Sequence, residues 1–483
     1  MGVRRQESDA GRMPCLTPSR RALIFAAMSA SRFRLNFSDV DLSDVDPSES
    51  LLRWLRRTRL TGTKEGCGDG DCSACTVALV ERDATGRAHY RAVNSCLLPI
   101  GALAGREVVT VEALAEGATL HPVQQAMVDS AGSQCGYCTP GFVMSLFVGS
   151  HDGDLSDHCI EGNLCRCTGY RPIREAAQRL AALPVIADPF TAAMAAPRRA
   201  LAPASLGGFH NPTTVADAVA LKQQHPEATW IAGATDLGVN LSRGQSVAPG
   251  FIALDRIAEL LVIEVGDDAV HIGASVPLTR IEQELAGAFP LLDDMLPGFA
   301  AKQVKNRATF GGSLGSASPI GDLAPVLLAL DAIVQLRGPK GLRSLSIDGY
   351  FLDYRKTQRA PDELIVAVTL PKPNSLVTAS YKIAKRQTDD ISIVAASFAI
   401  QLDAQRRVQH VRLAYGGIAA IPRRALRSEA LLLGQILGDA LVEHVRANLV
   451  EEFTPLSDHR ADADYRRALA GNLFVKFVAE KLA

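Results

Sequence analysis

Eight of the ten cysteines fall into two groups of four with the spacing of iron–sulfur ligands. Cys67, Cys72, Cys75 and Cys96 read C-x4-C-x2-C followed by a distant fourth cysteine. This is the plant-type [2Fe–2S] ligand run, with three ligands on one loop and the fourth supplied from a strand end. Cys135, Cys138, Cys165 and Cys167 read C-x2-C…C-x-C. Glycines at 66, 68 and 70 flank the first loop. They allow a tight backbone around an inorganic core and let N–H groups approach the sulfurs. Zinc and disulfides are the alternatives. Zinc favours C-x2-4-C pairs, and disulfides suit small secreted chains. The second group alone fits zinc as well as a cluster; beside the first it is read as a second [2Fe–2S] site. Cys159 is taken as a spare thiol, and Cys15 lies in a segment without structural signals.

The elements that hold these ligands are legible around them. Phe33, Leu35 and Phe37 alternate with polar residues, as in a half-buried strand. Asp46-Pro47 is expected to open a helix carrying Leu51, Leu52 and Leu55. Residues 76–80 follow as a strand. Further helices should open at His121-Pro122, Thr139-Pro140 and Arg171-Pro172, with a short one between 154 and 164. That puts the second ligand group at helix starts, where exposed N–H groups favour negative charge.

With 483 residues, 47% of them hydrophobic, the chain has material for three or four domains. A net charge of −1 predicts no nucleic-acid partner. No apolar stretch is long enough to span a bilayer, so no membrane association is expected. Thiols reserved for clusters point to a reducing cytoplasm. Residues 1–27 are rich in Arg, Ser and Pro. They read as a disordered extension or as a start placed ahead of Met28. Arg20-Arg21 precedes only seven apolar residues, short for an export signal.

The expected fold class is multidomain α+β. An extension covers 1–31, a β-grasp plant-type ferredoxin domain 32–104 and a helical-bundle [2Fe–2S] domain 105–183. A linker at 184–209 carries Pro184, Pro189, Pro197 and Pro203. A mixed α/β region covers 210–372 and a C-terminal α+β region 373–483, with strands at 391–402 and 408–416 and helices at 425–452 and 464–482. Two glycine-rich turns, at 231–238 and 309–316, match neither a G-x-G-x-x-G fingerprint nor a P-loop. Such turns can cradle a pyrophosphate on backbone N–H groups, or be ordinary turns.

Taken together, Lys64-Glu65-Gly66-Cys67, Asn94-Ser95-Cys96, Gln134-Cys135-Gly136-Tyr137-Cys138-Thr139-Pro140-Gly141 and Asn163-Leu164-Cys165-Arg166-Cys167-Thr168-Gly169-Tyr170-Arg171-Pro172 resemble the molybdenum hydroxylase family. Gly233-Ala234-Thr235-Asp236-Leu237, Ala317-Ser318-Pro319-Ile320-Gly321-Asp322 and Phe351-Leu352-Asp353-Tyr354-Arg355-Lys356 narrow the resemblance to small iron–sulfur/FAD subunits of bacterial xanthine dehydrogenases.

The resemblance implies two [2Fe–2S] clusters and FAD, with 210–372 an α/β FAD-binding domain, 373–483 a C-terminal α+β flavoprotein domain and NAD+ as acceptor. It also implies a molybdenum cofactor in a larger molybdopterin-binding partner, assembled as a dimer of two-chain units. FAD would be held by Ala232, Gly233, Ala234, Thr235, Asp236, Leu237, Ala308, Gly311, Gly312, Ser313 and Ser316. Phe299, Asp322 and Lys382 would lie at the flavin, and Gln134 would contact the partner's pterin. Where the family commonly reads Gly-Gly-Asn, this chain has Gly311-Gly312-Ser313. The molybdenum chemistry has no catalytic residue in this chain. An aldehyde or other N-heterocycle hydroxylase, an oxygen acceptor and a zinc-stapled scaffold are the rival readings.

Overall fold

The computed structural model describes residues 32–82, 87–184, 186, 188–195, 205–245 and 248–482. The expectations for residues 1–31, and with them Cys15, lie outside the described residues, as do those for Pro197 and Pro203. Among the described residues no helix is long and apolar enough to cross a membrane.

The chain opens with a five-stranded sheet of order β2-β1-β5-β3-β4. Its strands are β1 Arg32–Leu35, β2 Ser38–Asp41, β3 Thr76–Arg82, β4 Ala88–Asn94 and β5 Glu107–Val109. β1 runs parallel to β5, and the other pairs are antiparallel, as in a β-grasp. The helix Leu51–Arg57 packs Leu51, Trp54 and Leu55 on this sheet, with Phe33 and Trp54 edge to face at 5.5 Å. It begins later than Asp46-Pro47 suggested. Residues 46–49 form a turn closed by Glu49 N–H on the Asp46 carbonyl, and Ser50 supplies the side-chain cap.

Helices Pro122–Asp129, Thr139–Asp152, Asp157–Ile160 and Arg171–Ala181 form the second unit. Proline sits in the first turn of the three longer ones, where its missing N–H costs no helical bond. Thr139–Asp152 is central, and residues 141–149 are buried on every side. The stretch expected to be a bare linker contains a helix, Pro189–Ala195. Its anchor is Phe190, whose ring meets Tyr90, Phe147 and His121, and whose carbonyl accepts from Tyr90 Oη at 3.1 Å.

Next come a parallel sheet, β6-β8-β7 (Phe209–His210, Phe251–Ala253, Thr229–Ile231), and an antiparallel one, β12-β11-β15-β10-β9. The latter comprises β9 Ile263–Val265, β10 Ala269–Gly273, β11 Ile333–Gly338, β12 Gly341–Ser346 and β15 Leu364–Pro371. A hairpin, β13 Phe351–Asp353 and β14 Lys356–Thr357, leaves it. The second glycine turn is in fact a helix, Phe310–Ser316, because Thr309 accepts from Gly312 N–H and caps it.

The last unit is a four-stranded antiparallel sheet, β16 Val377–Ile383, β17 Val394–Leu402, β18 Val408–Gly416 and β19 Arg423–Arg424. The helices after it pack Phe474 and Phe477 on Phe398. The helix expected at 425–452 is two, Leu426–Leu432 and Asp439–Glu452, broken around Gly434 with φ +77°.

Buried polar bonds fasten these units together. Gln303 Nε2 donates to Ser145 Oγ (3.0 Å) and Asn163 Oδ1 (3.2 Å), while Asn163 Nδ2 donates to the Ser73 carbonyl (2.9 Å). Asn306 Nδ2 donates to the Ala92 carbonyl at 2.9 Å.

Candidate cofactor sites

The β3–β4 register pairs Thr76 with Asn94, so Cys75 and Cys96 emerge side by side at one end of the sheet. Ser95 N–H and Oγ both donate to the Cys75 carbonyl, at 3.3 and 2.7 Å, and fix that end. Cys75 and Cys96 are buried, Cys72 is half-buried and Cys67 is exposed. The four thiols interact as two pairs. Hydrogen bonding from Cys72, ahead of backbone N–H groups, holds Cys67 down to about 5, and Cys72 is driven up correspondingly. Cys96 likewise lowers Cys75 and is itself raised.

Two thiol pairs suit two irons bridged by sulfide better than one tetrahedral ion. Backbone N–H groups already aim at sulfur: Cys67 N at Cys72 Sγ and Asp69 N at Cys67 Sγ, each 3.3 Å. The donor set therefore fits a [2Fe–2S] cluster.

The second group sits on two helix starts. Cys138 is the N-cap of Thr139–Asp152, and Cys165 and Cys167 precede Arg171–Ala181. Cys165 N–H donates to Tyr170 Oη (3.0 Å), and Thr168 N–H reaches Cys165 Sγ (3.4 Å). Burial, then Cys165, pushes Cys138 up to about 12. Cys135 is lowered by the Tyr137 N–H and then by Cys167, which is raised in turn. These again form two pairs, Cys135 with Cys167 and Cys138 with Cys165. Gln134, Cys135 and Cys167 are exposed. The two ligand loops touch: Leu164 N–H donates to the Cys72 carbonyl at 3.1 Å, and Tyr137 Oη donates to the Glu65 carbonyl.

A cavity of about 560 Å³ opens between the parallel sheet and the helix Phe310–Ser316. Of the residues proposed for FAD, Ala232, Gly233, Ala234, Thr235, Asp236, Leu237, Phe299, Ala308, Gly311, Gly312, Ser313 and Ser316 line it. Gly233 allows the closest approach, since a Cβ there would lie 1.7 Å from the Arg307 carbonyl oxygen. A long cleft walled by small residues and backbone fits a dinucleotide whose phosphates bind N–H groups.

Asp322 and Lys382 are not in its lining. They form a buried ion pair (2.8 Å) behind Phe299, where Lys382 Nζ also donates to the Phe299 carbonyl (2.9 Å) and Ser392 Oγ to Asp322 (2.5 Å). Burial raises Asp322 against the pull of Lys382. The pair therefore positions Phe299 from behind.

Sequence reasoning missed Lys222, Trp230, Arg359, Leu364 and Ile365, which also line the cavity. Trp230 Nε1 is buried without a partner, and the Lys222 ammonium lies 5.5 Å over its ring. Only the position of Trp230, directly before the first glycine turn, could have signalled it.

The loop between β16 and β17 approaches Gly298, where a Cβ would lie 3.6 Å from the Gln387 carbonyl oxygen, and its Arg386 and Asp389 interact electrostatically with Asp71 of the first ligand loop. In it, Asp389 Oδ1 accepts from Ala301 N–H (3.3 Å), while Oδ2 is buried without a partner. Burial, opposed by that N–H and reinforced by Asp71, pushes its carboxyl up to about 6. The folded protein thus holds this proton more tightly than the unfolded chain does. The charged form becomes a cost as pH rises from about 4, complete above pH 6. Asp389→Asn is expected to leave melting unchanged near pH 4 and raise stability by on the order of 1–2 kcal/mol above pH 6. Equal gains at both pH values would sink this account.

Four family models match the chain. They are a 2Fe-2S iron-sulfur cluster binding domain (34–100), a [2Fe-2S] binding domain (110–178), an FAD binding domain in molybdopterin dehydrogenase (204–373) and a CO dehydrogenase flavoprotein C-terminal domain (379–481). A xanthine dehydrogenase of Emericella nidulans is 32% identical, over 94% of this chain and 38% of its own length. A xanthine dehydrogenase/oxidase of Mus musculus is 31% identical over 92% and 38%. The chain thus spans well under half of these relatives. Among solved structures, a carbon monoxide dehydrogenase chain from Hydrogenophaga pseudoflava aligns with TM-score 0.54 and 27% identity, over 57% of this chain and 96% of that one. A quinoline 2-oxidoreductase chain from Pseudomonas putida 86 shares the fold at TM-score 0.53 and 23% identity, over 57% of this chain and 96% of its own.

Proposed function

This chain belongs to the molybdenum hydroxylase family, carrying iron–sulfur and flavin domains, and from that premise we propose that it is the electron-transfer subunit of a xanthine dehydrogenase. In this reading the two clusters and FAD carry electrons from hypoxanthine or xanthine, oxidised to urate at a partner's molybdenum cofactor, to NAD+. The partner is a larger molybdopterin-binding chain, in a dimer of two-chain units.

One observation carries the proposal: the three candidate sites are held together by direct contacts. The second ligand loop bonds the first through Leu164 and Asn163. The first meets the flavin region through Leu97, which follows Cys96: a Cβ on Gly238 would lie 2.3 Å from the Leu97 carbonyl oxygen. Arg243 also holds Asp69 with two hydrogen bonds of 3.2 and 3.0 Å. The chain's own residues fix separations and exclude water, while the cofactors supply the redox chemistry. The exposed pair Cys135/Cys167, beside Gln134, is the end open to a partner. The buried pair Cys75/Cys96 faces the flavin side.

The test is an absorbance spectrum of the purified chain before and after anaerobic NADH. Flavin and [2Fe–2S] bands that bleach are the expected result. The same bands without bleaching would keep the electron-transfer role and replace NAD+ by another acceptor. A colourless chain that cannot be reconstituted with iron, sulfide and FAD would leave only a structural scaffold.

A further inference from the structure

Three arginines and one aspartate meet where the first sheet joins the flavin region. Asp255 Oδ2 accepts from Arg106 Nη2 and from Arg307 Nη2, both at 2.7 Å. Arg256 donates to the Ala102 and Ala104 carbonyls. The side chains of Arg106, Arg307 and Asp255 are 13%, 8% and 8% exposed. Three guanidinium charges against one carboxylate leave two positive charges in excess, out of water. The group is also under-bonded: Nε of all three arginines and Oδ1 of Asp255 are buried without a partner. Burial, then repulsion from Arg106, brings Arg256 down to about 9 despite Asp255. Uncompensated buried charge costs several kcal/mol per ion unless an anion offsets it.

The surroundings indicate which anion. Arg307 precedes Ala308 and Thr309 in the cleft wall, its carbonyl is the atom on which Gly233 packs, and its guanidinium reaches the Ala232 carbonyl at 3.5 Å. Asp255 follows Leu254, another wall residue. The cluster therefore backs the first glycine turn. Inside the cleft the charged lining residues are Lys222, Glu227, Asp236 and Arg359, two of each sign, so the lining adds no net positive charge. We infer that the Arg106–Arg256–Arg307 cluster is the charge counterpart of the FAD diphosphate, acting through the cleft wall without touching it. The inference rests on reading this cleft as an FAD site. These arginines are positioning residues: Coulomb attraction across a dry wall is weakly screened and holds the diphosphate end of the ligand.

The experiment compares FAD with riboflavin, which lacks phosphate, on the deflavinated full-length chain. Wild type, Arg106→Met and Arg106→Lys are titrated by flavin fluorescence quenching at low and moderate salt. Arg106→Met should bind FAD roughly tenfold more weakly, with a flatter salt dependence, while its riboflavin affinity stays within about twofold. Arg106→Lys keeps the charge and should stay close to wild type. Arg256→Met gives the same comparison if Arg106→Met does not fold, because its hydrogen bonds go to carbonyls. Equal weakening of FAD and riboflavin would overturn the inference and leave the cluster as domain glue. So would a Lys variant as weak as Met. A wild-type chain that binds neither flavin would remove the flavin reading itself, and the inference with it.

Discussion

Replacing Gly233 with alanine is expected to leave the purified chain with less than about a tenth of its FAD and to destabilise it by several kcal/mol. The added methyl would lie 1.7 Å from the Arg307 carbonyl oxygen, 2.4 Å from its carbon and 3.1 Å from Ala308 N. All three are backbone atoms, so no rotamer change relieves the clash. Either the turn at 232–237 or the wall at 307–309 must move by more than an ångström, and both line the cleft. A second substitution separates the fold from the ligand. At Gly315 a new Cβ meets nothing within 4 Å, yet the residue lines the same cavity. Gly315→Ala should melt like wild type, so flavin lost there reports the bound molecule alone. The measurements are the 450 nm absorbance per chain and the melting temperature. A Gly233→Ala chain purified with full flavin would refute this account of the cleft.

Legibility in the sequence followed the range of the signal. The cysteine ligands announce themselves because C-x4-C-x2-C and C-x2-C are local spacings imposed by the chemistry. Proline in the first turn likewise marks His121-Pro122, Thr139-Pro140 and Arg171-Pro172 as helix starts. The helix Pro189–Ala195 escaped because its stretch is Ala- and Pro-rich, and its one anchor, Phe190, is legible only beside Tyr90 and Phe147. The second glycine turn is helical because Thr309 caps it, overriding the turn preference of three glycines. Asp322 and Lys382 belong behind Phe299 because β16 crosses there, a tertiary fact without local trace. The cluster of Arg106, Asp255, Arg256 and Arg307 is assembled from three separate segments, and each arginine alone looks like an ordinary surface charge.

Cys138→Ser is expected to divide the proposed electron path at one point. Cys138 caps the central helix and pairs with Cys165. A serine hydroxyl does not supply the thiolate on which iron ligation depends, so the second cluster should be lost and iron per chain should fall by about half. The first site should survive, because its geometry comes from the β3–β4 register and from Ser95 on the Cys75 carbonyl. Its links to the second loop, Leu164 N–H on the Cys72 carbonyl, Asn163 Nδ2 on the Ser73 carbonyl and Tyr137 Oη on the Glu65 carbonyl, involve no atom of the Cys138 side chain. Purine-to-NAD+ turnover in the assembled complex should therefore disappear, while NADH oxidation by an artificial acceptor stays largely intact. Cys96→Ser acts at the other end. It breaks the buried pair beside Leu97, whose backbone Gly238 packs against, so it should disturb the first cluster and the adjoining flavin loop together. The two variants thus differ in whether the flavin half outlives the lesion. Purine-to-NAD+ turnover that persists in Cys138→Ser would exclude the second cluster from the path and require electrons to reach the flavin by another route.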